Sequence, residues 1–434
     1  MAVREGPGCL GCGDAGTTLE QDASCGDCGG AERFHVSHTT AARYRQAGAA
    51  GMADRPSRPH ASPSRTQART ERQIMCRAWV GGDSAPVVGS IGRGPARRWP
   101  ADELERLMTV SEDFTGLTSR FRGELLAHCY RMVGSVDEAE DLVQETFLRA
   151  WRSYEGFEGR SSVRTWLYRI ATNVCLTAIE RRGRRPLPSG LGGPTGDPEA
   201  PLEVASEVPW LQPLPDALVT ADLEDPAAVT ASRAGVRLAF VAALQYLSAR
   251  QRAMLIMRDV LEWPAADVAE LLGTTTTAIN SGLRRARTQL ARVMPAEDEL
   301  AEPDDAVQRA VLERFAAAIE HADARAMAEL LRADVVLEMP PFLTWFAGRD
   351  AVAGFVGSQL LTAPGADRLV PVTANGQAAF AVYRRDERGV YRAHALQVLT
   401  LTATGIARIV AFADPGRFTS FGLPPEHPAE PART

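Results

Sequence analysis

The segment VAELLGTTTTAINSGLRRARTQL, residues 268–290, combines residue types that bind nucleic acid. Four threonines follow Gly273, and the helical pattern after them places Asn280 and Arg284 one turn apart. Threonines in front of a helix cap its free N–H groups and contact phosphate. In the major groove, asparagine suits adenine and arginine suits guanine. The segment therefore predicts a helix that reads DNA.

The two sides of this helix differ in polarity. The predicted DNA contacts are Thr276, Thr277, Asn280, Arg284, Arg285 and Arg287. The predicted inward side consists of Ile279, Leu283, Ala286 and Leu290. In front of it, PAADVAELLG is a second helix, and Pro264 fits its first turn. Helix, glycine-containing turn and helix make a helix-turn-helix pattern, which favours DNA binding over an ordinary arginine-rich surface helix.

A second candidate surface lies on SVDEAEDLVQETFLRAW, residues 135–151. Ser135 and Glu138 have the spacing of a capping box, which begins a helix. The predicted buried stripe is Ala139, Leu142, Val143, Phe147 and Ala150. The opposite face carries Asp137, Asp141, Gln144, Glu145 and Leu148. An acidic face is most often only solvated, but a leucine at its edge indicates a docking surface.

A third candidate surface lies on VRTWLYRIATNVCLTAIERRGRR, residues 163–185. Its predicted inner face is Leu167, Ile170, Ala171, Val174 and Ala178. The other faces carry Trp166, Tyr168, Arg169, Asn173 and Thr177. Residues 160–185 hold seven arginines and one acid, although the net charge of the chain is −6. Basic charge interleaved with aromatic rings suits nucleic acid that is partly single-stranded.

The elements that position these residues belong to a chain with room for two or three domains. No apolar run approaches the ~20 residues of a membrane span, and no signal pattern opens the chain, so we expect a cytoplasmic protein without a membrane partner. Residues 1–107 are low in complexity, which predicts a disordered extension or sequence upstream of a true start at Met108. Cys9, Cys12, Cys25 and Cys28 have zinc-ribbon spacing. Few apolar residues surround them, so we predict no metal there.

Two further segments follow the basic helix. Residues 186–232 hold eight acids and no arginine, and nine prolines fall within 186–226. This composition predicts a linker that is extended and mobile rather than folded, with an apolar island at PWLQPLPDAL that docks on something. Helical pattern returns over 233–293. Residues 304–424 then show one long or two short helices followed by the strands VVLEMPPF, AAFAVYRRD, YRAHALQVLTLTATG and IARIVAFAD, which indicates an α+β domain.

Three segments, DEAEDLVQETFLRAW, GRSSVRTWLYRIATNVCL and DVAELLGTTTTAINSGLRRARTQL, resemble regions 2 and 4 of extracytoplasmic-function sigma factors of the sigma-70 family. The resemblance covers about residues 114–293. Residues 304–424 resemble SnoaL-like domains, which are α+β cones related to ketosteroid isomerases, and PWLQPLP resembles the linker of sigma factors with such a tail. The implied fold is multidomain: an all-α region 2 bundle at 114–185, an all-α region 4 helix-turn-helix at 233–293, and an α+β cone.

This resemblance implies that the chain binds the RNA polymerase core and promoter DNA without being an enzyme or needing a cofactor. The implied polymerase contacts are Asp141, Gln144, Glu145 and Leu148. An unpaired base of the −10 element would be held by the loop Gly159, Arg160, Ser161 and Ser162 together with Asn173, beside Arg181 and Arg182. Residues 276–287 would read the −35 element. The chain departs from the family at Asn280 and Gly282, where basic residues are frequent, so the promoter sequence does not follow.

The carboxy-terminal domain leaves alternatives open. Relatives of SnoaL-like domains use an Asp or His as acid or base, and the candidates here are Asp334, Glu338, His394 and Asp414. None sits in a catalytic motif, so we expect a module that regulates in cis, with a small-molecule ligand or an anti-sigma protein as further partners. The rival hypotheses are a helix-turn-helix regulator that acts without polymerase, and a SnoaL-like enzyme with a DNA-binding appendage.

Overall fold

The computed structural model describes residues 114–220, 235–292 and 305–427. The predictions about Met108 and the four amino-terminal cysteines lie outside these residues. Within them, we call residues 114–185 the helical bundle, residues 235–292 the helix-turn-helix domain and residues 305–427 the sheet domain.

Three helices form the helical bundle: α1 (Arg122–Val133), α2 (Val136–Ser153) and α3 (Val163–Arg182). Gly134 ends α1 with a left-handed φ of 72°, and the Ser135 side chain then caps α2 by accepting from the Glu138 N–H. The Glu138 carboxylate accepts from Arg185 at 2.6 Å, which ties the start of α2 to the end of the basic cluster. The predicted stripe of α2 is buried, except that Leu142 is half-buried.

Helix α3 is buried on two sides rather than one. Leu167, Ala171 and Val174 face inward as predicted. The prediction that Tyr168 lies on an outer face is wrong: its side chain is 2% exposed, and its ring makes edge contacts with His128 of α1 and Trp263 of the helix-turn-helix domain. A periodic pattern shows the side that faces the bundle, but not that a second domain covers the adjacent side.

The helix-turn-helix domain contains α4 (Leu238–Leu244), α5 (Ala249–Leu255) with a π-helical turn (Ile256–Val260), α6 (Ala265–Leu271) and α7 (Thr276–Leu290). Ser248 and Gln251 form a reciprocal capping box at the start of α5. Gly273, with φ 59°, makes the turn between α6 and α7. The predicted helix-turn-helix geometry is therefore present.

The sheet domain begins with α8 (Asp305–Glu320) and α9 (Ala324–Leu330), and carries α10 (Arg349–Phe355) between its second and third strands. Its strands are β1 (Leu331–Glu338), β2 (Trp345–Ala347), β3 (Asp367–Ala374), β4 (Gln377–Arg385), β5 (Tyr391–Thr402), β6 (Gly405–Phe412) and β7 (Glu426–His427). Strand order is β2-β1-β6-β5-β4-β3, with β7 beside β5. All pairs are antiparallel except β1 with β6.

The predicted α+β class is correct, whereas β2, β3 and α10 were not predicted. Strand β3 reads DRLVPVTA, and Pro371 argues against a central strand; the structure places it at the edge of the sheet, where a missing N–H is tolerated. The predicted strand VVLEMPPF is too long, because β1 ends at Glu338, before Pro340 and Pro341.

The two faces of the sheet belong to different cores. On β4, Phe380 and Val382 point to the inner face, where they pack with Phe315 of α8. Alternate residues such as Tyr383 point outward because side chains alternate across a strand. The outer face shares one continuous core with the helical bundle and the helix-turn-helix domain, which includes Leu125, Met132, Leu244, Leu396, Val398 and Phe412.

Residues 186–220 are irregular apart from a 3-10 turn at Pro188–Gly190 and one helical turn at Ala217–Thr220, and they are packed between these parts. Leu187, Leu211 and Leu214 are buried. Isolated bridges join Thr195 to Phe346, Val204 to Phe342 and Pro215 to Ala374. The sequence predicts a linker that is extended and mobile rather than folded, whereas the structure packs residues 186–220 against the folded parts. The prediction that its apolar island docks is confirmed, and the island lies between the bundle and the sheet.

Candidate nucleic-acid interface

The recognition helix α7 presents its predicted DNA-contacting side to solvent. Thr275 caps the helix by accepting from the Ala278 N–H at 3.2 Å. Ile279, Leu283 and Ala286 are buried, and Leu290 is half-buried. The side chains exposed on the other side are Thr276, Thr277, Asn280, Arg284, Arg285 and Arg287. The polar set is thus free of the domain core, as base and phosphate contacts require.

The arginines of α7 differ in their surroundings. Arg287 donates two hydrogen bonds to the Asp259 carboxylate, at 2.9 and 2.6 Å. Arg284 and Arg285 line an open polar hollow together with Arg292. Because a carboxylate already neutralises Arg287, its attraction for a phosphate is weaker than that of its neighbours.

Gly282, a position at which the resemblance implies a basic residue, lies on the buried side of α7. A Cβ atom at this position would meet the Sδ atom of Met254 at 2.6 Å. The glycine therefore lets α7 approach α5 closely, so position 282 of this chain serves packing and not DNA reading.

The acidic face of α2 is only partly free. Asp141 and Gln144 are exposed, Leu148 is half-buried, and the Glu145 carboxylate accepts from Arg149 at 2.8 Å. One turn before Asp141, the carboxylate of Asp137 is bound by Arg417 at 2.7 Å. Residue 417 belongs to the sheet domain, so that domain touches the edge of the predicted polymerase-docking surface.

The loop before α3 is built around an aromatic contact. Phe157 lies on Trp166 with ring centroids 4.7 Å apart. Gly159 has φ 68°, the Arg160 guanidinium donates to Glu158 at 2.7 Å, and the Ser162 side chain caps α3. Gly159 and Arg160 are exposed and Ser161 is half-exposed, so the predicted loop is accessible.

Asn173 is exposed on α3, seven residues after Trp166. Two helical turns separate these residues, so they share a face and lie roughly 10 Å apart along the helix axis. The loop and Asn173 therefore flank a strip of α3 rather than touch. Arg169 lies within that strip, and its guanidinium donates to Glu270 of α6 at 2.9 Å. Further along, Arg181 is exposed and Arg182 is the last residue of α3.

Arg252 joins the two helical domains and was not predicted as important. Its side chain is 2% exposed; it donates to the Met132 carbonyl of the bundle and, at 2.9 Å, to the Gln245 side chain of its own domain. Burial lowers the pKa of Arg252 to about 10, which still leaves it charged at neutral pH. In the sequence it resembles any helical arginine, because its partner is a backbone carbonyl 120 residues away.

Three of the four acid or base candidates of the sheet domain have a structural partner, and the fourth, His394, is partly buried. Asp334 pairs with Arg332, which lowers its pKa, and Asp414 accepts from Arg417 and caps the helical turn that follows. Glu338 is buried and accepts from Arg408 and from the Ser189 N–H. Burial lowers the pKa of His394. These groups are spread over separate contacts and do not make an acid/base pair.

Comparisons with known proteins agree with this geometry. Residues 117–185 match the family description Sigma-70 region 2, and residues 237–290 match Sigma-70, region 4. The sigma factor SigG of Mycobacterium tuberculosis, described as an ECF RNA polymerase sigma factor, is 48% identical over 355 residues, which cover 78% of this chain and 95% of SigG. The chain belongs to the ECF sigma factors of the sigma-70 family.

Solved structures were also matched. The crystal structure of SigJ, another extracytoplasmic-function sigma factor of M. tuberculosis, covers 72% of this sigma factor and 99% of SigJ, with 23% identity and a TM-score of 0.47. The crystal structure of an NTF2-like protein from Mesorhizobium loti covers 26% of this chain and 98% of that protein, with 18% identity and a TM-score of 0.22.

Family membership makes this sigma factor a transcription initiation factor and not an enzyme. Over the residues that the structure describes, no helix is long and apolar enough to cross a membrane.

Proposed function

We propose that this sigma factor is held in a closed form by its own sheet domain, and that it directs promoter recognition once it docks on the RNA polymerase core in the cytoplasm. The observation that supports the proposal is a junction at which the sheet domain, the linker and both helical domains meet. We call Asn375 and Gly376, the turn between β3 and β4, the latch.

The latch is buried and hydrogen-bonded to all three neighbours. The Asn375 side-chain nitrogen donates to the Tyr130 hydroxyl of the bundle at 2.8 Å and to the Val236 carbonyl of the helix-turn-helix domain at 2.7 Å. Its side-chain oxygen accepts from the Leu214 N–H of the linker at 2.9 Å. Each polar atom of the amide thus contacts a different part of the chain, and removing it would leave buried groups unsatisfied.

Backbone atoms of the latch extend the junction. The Asn375 N–H donates to the Leu214 carbonyl at 2.8 Å, and the Gly376 N–H donates to the Asp216 carboxylate at 2.7 Å. Asn375 has a left-handed φ of 58°, which asparagine and glycine tolerate best. The turn therefore fits this place through both its side chain and its backbone conformation.

The closed form brings the two predicted DNA-contacting domains together. Thr172 of α3 lies 3.9 Å from the Met257 sulfur, and Arg169 pairs with Glu270, so the helix-turn-helix domain covers part of α3. Promoter elements about 25 base pairs apart are separated by ~85 Å of B-form DNA. Domains in direct contact cannot span that distance, so promoter recognition requires them to separate.

In the proposed open form, the predicted residues have three roles. Asp141, Gln144, Glu145 and Leu148 dock on the polymerase. The loop at residues 159–162 and Asn173, beside Arg181 and Arg182, hold an unpaired base of the −10 element. Residues 276–287 read the −35 element. The exposure of most of these side chains supports these assignments.

The test replaces Asn375 by glycine, which keeps the left-handed backbone and removes the side-chain hydrogen bonds. We expect Asn375→Gly to raise transcription by core polymerase several-fold at limiting protein, because the closed form loses interactions that the open form never had. Arg388→Ala, in an exposed turn of the same domain, is the matched control. Unchanged transcription in a folded Asn375→Gly protein would contradict control by the latch. Regulation of promoters by the free protein without polymerase would favour the rival regulator instead.

A further inference from the structure

A cleft of about 520 Å³ lies between the first half of α8 and the edge of the sheet at β3 and β4. Its walls are largely apolar and include Leu312, Ala316, Leu369, Pro371, Ala378 and Phe380. This volume is within the range of small-molecule sites. Phe380 closes the cleft on the side of the domain interior, which is filled by stacked rings: Phe315 with Phe380 and Phe346 with Phe355.

The edge of β3 excludes one class of occupant. Its outward N–H at Leu369 already donates to the Glu320 side chain at 2.9 Å, and its outward carbonyl at Thr373 accepts from the Asp216 N–H at 3.4 Å. Between them, Pro371 offers a carbonyl but has no N–H. A peptide that added a strand here would lack the central donor and meet occupied neighbours. The edge instead offers an acceptor to a molecule with a single donor group.

The exposed charges at the cleft favour a neutral molecule, and the third charged group in its wall, the buried Asp216 carboxylate, already accepts from the Gly376 N–H. Arg309 and Glu313 are exposed, have opposite charge and lie one turn apart on α8. An anion would be attracted by Arg309 and repelled by Glu313. A cation would be repelled by Arg309 and attracted by Glu313. Together with the apolar walls, this pattern suits a neutral aromatic or polycyclic molecule that carries one N–H or O–H donor for the Pro371 carbonyl.

We infer that this cleft is a regulatory site for such a molecule, and that its occupant stabilises the closed form. The cleft is also lined by Asp216, Thr373 and Gly376, which make the hydrogen bonds of the latch. Asp216 belongs to the linker, so the cleft loses this part of its wall when the linker separates from the sheet. A ligand that contacts the complete wall binds the closed form more tightly and shifts the population toward it. The effect on transcription rests on the proposed function, whereas binding to the cleft does not.

Binding is tested with the full chain and N-phenyl-1-naphthylamine, a neutral aromatic probe with one N–H. We expect saturable binding of one probe per chain by fluorescence, weakened at least ~10-fold by Ala316→Trp, which fills the cleft. Ala317→Trp, whose side chain points away to solvent, is the matched control and should bind normally. If Ala316→Trp does not fold, Leu312→Trp replaces it. In the wild-type chain, the probe should slow amide exchange over residues 369–378.

Three outcomes would overturn the site: no saturable binding, equal binding by the filled and control variants, or exchange that is unaltered over residues 369–378. A cleft occupied by another segment of the chain would give the first of these. The coupling between the cleft and the closed form is tested separately. If it exists, Asn375→Gly should weaken probe binding, and the probe should lower transcription by the wild-type protein. If the probe binds the cleft and neither change occurs, the coupling is wrong, while the effect of Asn375→Gly on transcription without probe still decides the proposed function.

Discussion

The two surfaces proposed to contact DNA in this sigma factor differ in how much of each is covered by the rest of the chain. On α7, all six side chains predicted to contact DNA are exposed, and among the residues that the structure describes Arg287 alone of the six is held by a neighbouring carboxylate. On α3, the strip between the loop and Asn173 is bridged by the Arg169–Glu270 pair, and the adjacent side is buried against the helix-turn-helix domain.

This difference suggests an order of events. Duplex DNA can approach α7 while the chain is closed. Before DNA can bind along α3, the helix-turn-helix domain must move away from it. The surface proposed to bind unpaired bases is thus the one that is partly covered, which would hinder the free protein from trapping melted DNA before polymerase is bound.

The largest effect is expected from the docking surface. Asp141→Arg combined with Leu148→Ala should reduce transcription by ~100-fold or more, equivalent to about 3 kcal/mol of lost polymerase affinity, since uncovering α3 would depend on docking. Run-off transcription and core-polymerase binding measure this, with circular dichroism to confirm folding. Glu387→Arg, at an exposed acid in the sheet domain, controls for the added positive charge. Normal transcription by the double variant would show that α2 does not dock.

Arg284→Ala tests the open surface. It should weaken binding to the cognate −35 element by about 1–3 kcal/mol and relax the preference at one base pair. Arg287→Ala should weaken all sequences alike and by less, because Asp259 already neutralises this side chain. Affinities of the polymerase holoenzyme for a set of −35 variants measure both. Equal, sequence-independent losses would mean that α7 binds phosphates but reads no base.

The pH dependence of the free energy of unfolding tests the covered surface, because the buried His128 packs beneath it. Burial, with a smaller contribution from Arg131, lowers its pKa to about 3 from the ordinary 6.5, and its ring hydrogen-bonds to Thr172 beneath the contact with Met257. The unfolded chain therefore takes up a proton that the folded chain refuses, so stability falls as pH drops below 6.5. From pH 7.5 to 5.5 the loss should be roughly 1.4 kcal/mol. Denaturant unfolding of wild type and His128→Gln measures it, and an equal pH dependence in both would assign the loss to other groups.

The smallest effect is expected at the bridge itself. Arg169 and Glu270 form a partly exposed pair, which contributes about 0.2–1 kcal/mol. Glu270→Ala should therefore raise transcription less than ~5-fold, which corresponds to the top of that range. Charge reversal of both residues should restore the wild-type level if the pair acts only by closing the two domains. A Glu270→Ala effect as large as that of Asn375→Gly would show that the cover on α3, and not the latch, controls opening.

Much of this architecture follows from local sequence. Helix α2 is predictable because Ser135 caps it and its apolar residues repeat at helical spacing, and both features depend on residues within a few turns. The same holds for the turn at Gly273, the cap at Thr275 and the buried side of α7. The candidate DNA contacts were found for this reason: a polar set opposite an apolar stripe is visible in the sequence itself.

What the sequence alone could not determine is how the three folded parts meet. Asn375 reads as an ordinary turn residue, Arg252 as an ordinary helical arginine and Tyr168 as a surface aromatic, yet all three are buried where separate parts join. Their partners across these junctions, Trp263 for Tyr168, Met132 for Arg252 and Tyr130 for Asn375, lie 95 to 245 residues away along the chain. Periodicity and capping report only which side of an element is apolar, whereas burial of a polar group at a junction depends on the position of a distant backbone. Only the tertiary structure supplies that position.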